Sequence, residues 1–320
     1  MNLSILIPAY NEEESIPELI DSIKNNISSS LRYEVIIIDD GSTDKTWEII
    51  LNEISKNDFL KGISFIKNNG KSAALDIGFK SASGEVIITM DADLQDDPME
   101  IEPLYNMILN NDYDLVSGWK KKRFDPITKT LPSKFFNSVT RVFSGIKLND
   151  FNCGIKAYKK SVVKSISIYG EMHRYIPLIA KWNGFNKIGE KIVKHNPRKF
   201  GNTKFGMERF INGFLDLISV SFDYKFKKKP MNFFGSLGVI SFLLGLASTY
   251  WIIYDKISKI SQGISIDEIR PVTEQPLFFI ALVCIIIGAQ LFLAGFLAEI
   301  IIKVISKNND QDISDKKGFS

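Results

Sequence analysis

The sequence predicts an α/β fold: a domain on a Rossmann-like, mostly parallel sheet, then an amphipathic juxtamembrane helix and two transmembrane helices. Three observations carry this. From Leu3 to Ser117, short apolar runs alternate with stretches whose apolar residues recur at helical spacing, as repeated βα units do. Asn232 to Tyr254 and Pro276 to Ala298 each run 23 residues without a charged side chain, against the roughly 20 that about 30 Å of hydrocarbon requires. Between them, Met207 to Phe222 carries apolar residues at Met207, Phe210, Ile211, Phe214, Leu215, Ile218 and Phe222, one face of a helix.

In order, Leu3 to Ile7 reads as a strand ending at Pro8-Ala9-Tyr10-Asn11, and Glu12 to Ile27 as a helix through Ile16, Leu19, Ile20 and Ile23. The opening LSILIPAY has no basic segment and too short an apolar run for a secretory signal. Glu34 to Ile38 is the second strand, closed by the acidic loop Asp39 to Asp44, which caps a helix from Thr46 through Ile54. Ile63 to Ile66 reads as the third strand and Ser72 to about Ser81 as its helix. Val86 to Met90 is the fourth and runs straight into Asp91-Ala92-Asp93-Leu94-Gln95; Asp114 to Ser117 is the fifth. Three βα units ahead of the Asp91 loop argue for a parallel sheet covered on both faces.

Composition narrows the function. With 320 residues, 45% apolar side chains and a formal charge of +3, the chain can bury one sizeable domain and still supply the apolar C-terminal third. Cys153 and Cys284 give no disulfide framework, and His173 and His195 with so few thiols make no zinc site. Neither GxGxxG nor GxxxxGK[ST] occurs, so no glycine cradle binds phosphate, and no nucleic-acid partner is expected.

The Asp91 loop is the strongest chemical signal. Carboxylates at i and i+2 with an amide oxygen at i+4, where a buried strand emerges, offer hard ligands for Mg²⁺ or Mn²⁺ that keeps its other positions for phosphate oxygens. The competing reading is an acidic turn that caps a helix beginning near Pro98. Asp39 and Asp40 end the second strand at the same sheet edge, placed to accept hydrogen bonds from a base N–H or a ribose hydroxyl; for Asp40 an Asx-turn that shapes the loop is the alternative.

Together SILIPAYNEEESI, VIIIDDGSTDKT, GKSAALDIGF and VIITMDADLQDDP resemble the family 2 glycosyltransferases of the GT-A fold. DADLQ followed by two apolar spans is similar to the polyprenyl-phosphate glycosyltransferases of the dolichol-phosphate mannose synthase type. The resemblance implies that Asp91, Asp93 and Gln95 hold the metal, and that Pro8, Tyr10, Glu12, Asp39, Asp40 and Lys71, with Asp91, Ala92 and Asp93, line the nucleotide pocket. Members commonly carry an arginine directly after the fifth strand, where this chain has Trp119-Lys120-Lys121-Lys122-Arg123. An anionic donor and an anionic acceptor must meet, which calls for cations; Arg123, Lys134, Arg198 and Lys204 are the candidates.

The expected reaction is metal-dependent, inverting transfer of a hexose from a UDP- or GDP-sugar to a membrane polyprenyl phosphate. A lipid phosphate is already an oxyanion, so no general base is required. One rival is transfer to a hydroxyl acceptor, with Asp150 as base or else as a structural turn; another is a catalytically silent nucleotide-binding adaptor. The expected domains are 1–206 catalytic, 207–230 juxtamembrane, 231–305 a transmembrane hairpin and 306–320 a polar tail. Lys225 to Lys229 precede the first span and Lys303 and Lys307 follow the second, around a slightly acidic loop from Asp255 to Gln275. Both ends and the catalytic domain are therefore expected on the cytoplasmic side of a bacterial inner membrane, with self-association left open.

Overall fold

The computed structural model describes residues 1–121, 137–138, 140–141, 144–197, 199 and 230–309. Two compact units divide the chain, Met1–Val220 and Ser221–Ser320.

In the first unit the described residues form a seven-stranded sheet in the order β3-β2-β1-β4-β6-β5-β7. The strands are β1 (Leu3–Ala9), β2 (Tyr33–Asp39), β3 (Leu60–Ser64), β4 (Val86–Thr89), β5 (Leu115–Trp119), β6 (Lys156–Lys159) and β7 (Ile188–Ile192). Strands β3, β2, β1 and β4 run parallel, β6 is antiparallel to both β4 and β5, and β7 is again parallel to β5. The strand expected at Ile63 to Ile66 lies three residues earlier, because Ile66 is fully exposed and Leu60 is the buried anchor of this edge strand.

Helices cover both faces. Helices α1 (Ile16–Asn26), α2 (Thr46–Ile54) and α4 (Ile101–Asn110) press Ile16, Leu19, Ile20, Ile23, Ile50, Leu104 and Ile108 onto the face formed by Leu3, Ile5, Ile7 and Ile88. Helices α3 (Lys71–Ser81), α5 (Lys160–Ser165) and α6 (Ile176–Trp182) cover Leu6, Ile36, Ile38 and Ile87 on the other. Strands buried on both sides account for the unbroken apolar runs of β1 and β2. Helix α1 begins four residues later than its pattern suggested, since Glu12 to Ser15 form a turn in which Ser15 donates to the Glu12 carboxylate at 2.7 Å. Asp44 supports the start of α2 as expected, accepting from the Thr46 N–H at 3.0 Å and hydroxyl at 2.6 Å.

The second unit is a pair of long helices, α7 (Pro230–Ser261) and α8 (Pro276–Asn309), both long and apolar enough to cross a membrane. They touch through glycines. A Cβ on Gly238 would lie 2.7 Å from the Gly288 carbonyl oxygen, and one on Gly245 would lie 2.9 Å from that of Ala281. Small residues let the backbones approach this closely, and Ser241 adds a hydroxyl hydrogen bond to the Cys284 carbonyl at 2.9 Å. Leu237, Ile240, Leu243, Ile280, Val283 and Leu293 stay exposed on the outer surface. The amphipathic stretch Met207 to Phe222 and the lysines Lys225 to Lys229 lie outside the described residues.

Candidate active site

The strand directions gather the chemistry on one edge. β1, β2, β4 and β5 end there, and antiparallel β6 begins there, with Thr89 opposite Lys156 and Ser117 opposite the same lysine. Ala9 pairs with Asp39, and the Met90 N–H bonds to the Leu6 carbonyl, so the loops after β1, β2 and β4 are neighbours. The parallel sheet changes direction of winding between β1 and β4, where open α/β sheets leave a crevice for ligand.

Asp91 is the centre of a charged cluster. Its carboxylate, 30% exposed, pairs with the Lys71 ammonium at the start of α3. Burial alone would raise this carboxyl; Lys71, Lys120 and Lys156 more than reverse that and hold it well below the usual carboxylate range. Lys120, directly after β5, pairs at 2.8 Å with Asp96, whose side chain is wholly buried and also accepts the Asp91 N–H at 3.2 Å. Burial opposes the Lys120 charge, but Asp96 and Asp91 hold that ammonium well above its ordinary range. Lys156 is buried too, donating to the Cys153 carbonyl; its burial, with Lys71 nearby, lowers its pKa. Gly154 packs so closely that a Cβ there would fall on the Asp91 carboxylate.

The rest of the loop is tightly specified. Leu94 sits in the left-handed region at φ 61°, unusual for a branched residue and a mark of stored strain, and Asp93 accepts the Gln95 N–H at 3.2 Å. Capping of the following turn falls to Asp97, which accepts the Met99 N–H at 3.1 Å, so Asp91 and Asp93 are spared that duty.

Beside them, Asp39 accepts the Ser42 N–H at 3.1 Å and the Ser64 hydroxyl at 2.8 Å. Asp40 holds the N–H groups of Asn69 at 2.7 Å and Gly70 at 2.9 Å, positioning the residue before Lys71. Asp39 thus holds its own loop three residues on, whereas Asp40 joins two loops. Burial raises the Asp40 carboxyl and the nearby Asp39 adds to that, although the two N–H bonds pull the other way. Gly41, at φ 69°, lies against the Lys67–Asn68 backbone, where no side chain fits. Next to these carboxylates a recess of about 470 Å³ is lined by Ser64, Phe65, Ile66, Lys67 and Asn69. Across the edge, Pro8 lies in β1, the Glu12 N–H bonds to the Thr46 hydroxyl at 2.8 Å, and Tyr10 is half-buried in the intervening loop.

A model of the glycosyl transferase family 2 matches residues 4–167, which span all of these positions as far as Lys156. The chain belongs to that family. This glycosyltransferase is 33% identical over 313 residues, 97% of its length and 90% of the other, to a dodecaprenyl-phosphate galacturonate synthase of Rhizobium johnstonii. An undecaprenyl-phosphate 4-deoxy-4-formamido-L-arabinose transferase of Shewanella sediminis is 36% identical over 220 residues, 68% of this chain and 66% of that one. Among solved structures, glucosyl-3-phosphoglycerate synthase of Mycobacterium tuberculosis, in complex with Mn²⁺, UDP and glucosyl-3-phosphoglycerate, superposes with a TM-score of 0.55 at 19% identity. That superposition covers 70% of this chain and 79% of that one. The fold of the family 2 enzyme is thus GT-A, with an antiparallel strand inserted in an otherwise parallel sheet.

Among the described residues no three His, Cys, Asp or Glu side chains converge as a ready-made metal cage. Two carboxylates and an amide oxygen on one five-residue loop still suit a divalent cation that takes its remaining ligands from phosphate and water. Lys71 pairs with Asp91, and Ala92 is buried in the loop. Asp150 is buried, its carboxylate accepts the Asn152 N–H at 3.2 Å and its own N–H donates to Glu190 at 3.0 Å. Arg123, Lys134, Arg198 and Lys204 lie outside the described residues.

Three participants went unread in the sequence. Lys120 stood in a run of cations with nothing to single it out, and Lys156 looked like any strand lysine; each is revealed only by the antiparallel course of β6. His173 figures in the sequence only as a histidine that makes no zinc site: its Nδ1 and its N–H both meet the Ser72 hydroxyl at 3.0 Å, beside Lys71. Burial, with Lys71, Arg174 and Lys156 close by, keeps that imidazole neutral at pH 7.

Proposed function

We propose that this glycosyltransferase moves a hexose from a UDP- or GDP-sugar to a membrane polyprenyl phosphate, with inversion at the anomeric carbon. The observation that carries the reading is Asp91: a carboxylate at the strand edge, with Asp93 and Gln95 beside it in sequence, Lys71 paired to it and Lys120 and Lys156 close enough to favour its charge. The relatives named for polyprenyl phosphates, and two helices apolar enough to span a bilayer, support a lipid acceptor. Asp91, Asp93 and Gln95 would hold Mg²⁺ or Mn²⁺, which when bound neutralises charge on the departing diphosphate. A phosphate oxygen of the lipid attacks the anomeric carbon while the bond to the nucleoside diphosphate breaks. Lys71 and Lys120 offset the repulsion between the two anions. The recess beside Asp39 and Asp40 takes the nucleoside. The burial of Asp150 accords with an acceptor that needs no base. The charge pattern around the two spans supports a catalytic domain and termini on the cytoplasmic side of a bacterial inner membrane.

The test uses the full chain in detergent with labelled UDP- and GDP-sugars, offering undecaprenyl phosphate and, separately, a lipid alcohol of the same chain length. The expected product is an acid-labile polyprenyl-phosphate sugar, lost on chelation and restored by Mn²⁺ or Mg²⁺. Transfer to the alcohol alone would overturn the assignment.

A further inference from the structure

The ion pair of Lys120 and Asp96 is buried, with side-chain exposures of 13% and 0%. A pair of this kind adds little net stability over apolar side chains of similar volume, because desolvation consumes most of the attraction. What it does fix is geometry. The Asp96 carboxylate receives the Lys120 ammonium from the end of β5 and the N–H of Asp91 from its own loop. Its backbone bridges His195, and the neighbouring Gln95 carbonyl accepts the Asn196 N–H at 2.9 Å. On the same stretch Asp97 pairs with Lys194 at 3.0 Å, and Glu100 accepts the Lys194 N–H at 3.0 Å. Two segments, 91–97 and 119–121, therefore converge on one side chain, while 193–196 is tied to the same loop through its backbone and through Asp97 and Glu100.

We infer that Asp96 is a positioning residue for the donor site, setting the aspartate loop through the Asp91 N–H and registering it against the end of β5 through Lys120. The inference rests on the reading of Asp91 as a metal ligand. Asp96 touches neither metal nor substrate; it acts through Asp91. Outer-shell partners of metal ligands typically change metal affinity ten- to a hundredfold when removed, and a bond to the ligand's backbone belongs at the lower end.

The experiment measures Mn²⁺ binding to the full chain in detergent, by the loss of the free-ion electron paramagnetic resonance signal, with UDP and in a second arm with GDP. Asp96→Leu alone strands the Lys120 charge and is expected to lower the melting temperature. The informative variant is therefore the double change Asp96→Leu with Lys120→Met, which removes both charges. It is expected to recover most of the melting temperature yet bind Mn²⁺ about tenfold more weakly. Asp96→Asn with Lys120→Met keeps an oxygen for the Asp91 N–H and differs from the Leu/Met variant only there, so it should bind Mn²⁺ several-fold more tightly than that variant. Parental affinity in the Leu/Met variant would overturn the inference, as would equal weakening in the Asn/Met variant. Asp91→Ala is the control for the underlying reading: if it binds Mn²⁺ like the parent, or if the parent binds none with either nucleotide, that reading falls and the inference with it.

Discussion

Replacing Gly154 by alanine sets a methyl group on the Asp91 carboxylate, with the nearest backbone unable to retreat because Thr89 holds the Gly154 carbonyl at 3.0 Å. The carboxylate must move. Displacements of about 1 Å near reacting groups cost on the order of a hundredfold in rate, and overpacking costs about 1–3 kcal/mol in stability. Gly154→Ala should therefore lower kcat by ten- to a hundredfold while the protein still folds, as read from steady-state rates beside a melting curve. Asp91→Ala and Asp93→Ala act differently. Each removes a proposed ligand at a partly exposed strand end and opens no core cavity, so turnover should drop at least a thousandfold with a melting temperature near the parent's. Near-normal rates in either variant would remove the metal assignment. At this scale the sequence was a good guide to place: Asp39, Asp40 and Asp91 lie at strand ends, as their apolar runs indicated. It was silent on Lys120, Lys156 and Asp96, whose roles depend on which strands become neighbours.

At the scale of elements, the edge opposite the site is clamped by Glu34. Its carboxylate, almost wholly buried at the start of β2, accepts from the Ser4 hydroxyl at 2.6 Å, the Ser83 N–H at 2.8 Å, the Ser83 hydroxyl at 2.6 Å and Lys61 at 2.6 Å. These bonds join β1, β2, β3 and the connection into β4. Burial would raise the Glu34 carboxyl, but Lys61, Ser4 and Ser83 outweigh it and bring it from 4.5 down to about 2. A depressed carboxyl stabilises the fold above its unfolded value, and that contribution is lost as pH falls from about 4.5 through about 2. It amounts to roughly 2–3 kcal/mol, allowing for the exposed Lys61. Glu34→Gln should lower the melting temperature at pH 7, and the difference from the parent should shrink steadily between pH 4.5 and 2. A constant difference across that range would show that the ion pair contributes nothing. Elements with two buried faces were legible in the sequence for the same reason they are stable: β1, β2 and β4 are dominated by apolar residues, Ile5 to Ile7, Val35 to Ile38 and Val86 to Ile88. The edge strand β3 mixes Lys61 and Gly62 with its apolar residues, which blurred its bounds. Strands β6 and β7, KAYK and IGEKI, are short and half polar, so no period marks them.

For the whole molecule, the catalytic unit and the helix pair have separable expected duties. A chain ending at Gly206 should remain soluble and bind nucleotide sugar with little loss. Its transfer to a long polyprenyl phosphate should fall at least tenfold, because the interfacial segment and spans would no longer deliver the lipid. A short, water-soluble prenyl phosphate should restore part of the rate. Equal rates on the long lipid, in the same detergent, would reduce the helices to an anchor.

The insertion of β6 between β4 and β5 also bears on how the chain is made. When β4 leaves the ribosome, Ile87 and Ile88 present an open sheet edge whose hydrogen-bonding partner lies about 70 residues downstream. At about 5–20 residues per second, that edge waits roughly 4–14 s for Lys156 to Lys159 to arrive. Unpaired apolar edges are templates for intermolecular pairing. Slowing translation after β4 has emerged and before Lys159 has should therefore increase aggregation of the nascent chain, whereas slowing it once β6 is outside should not.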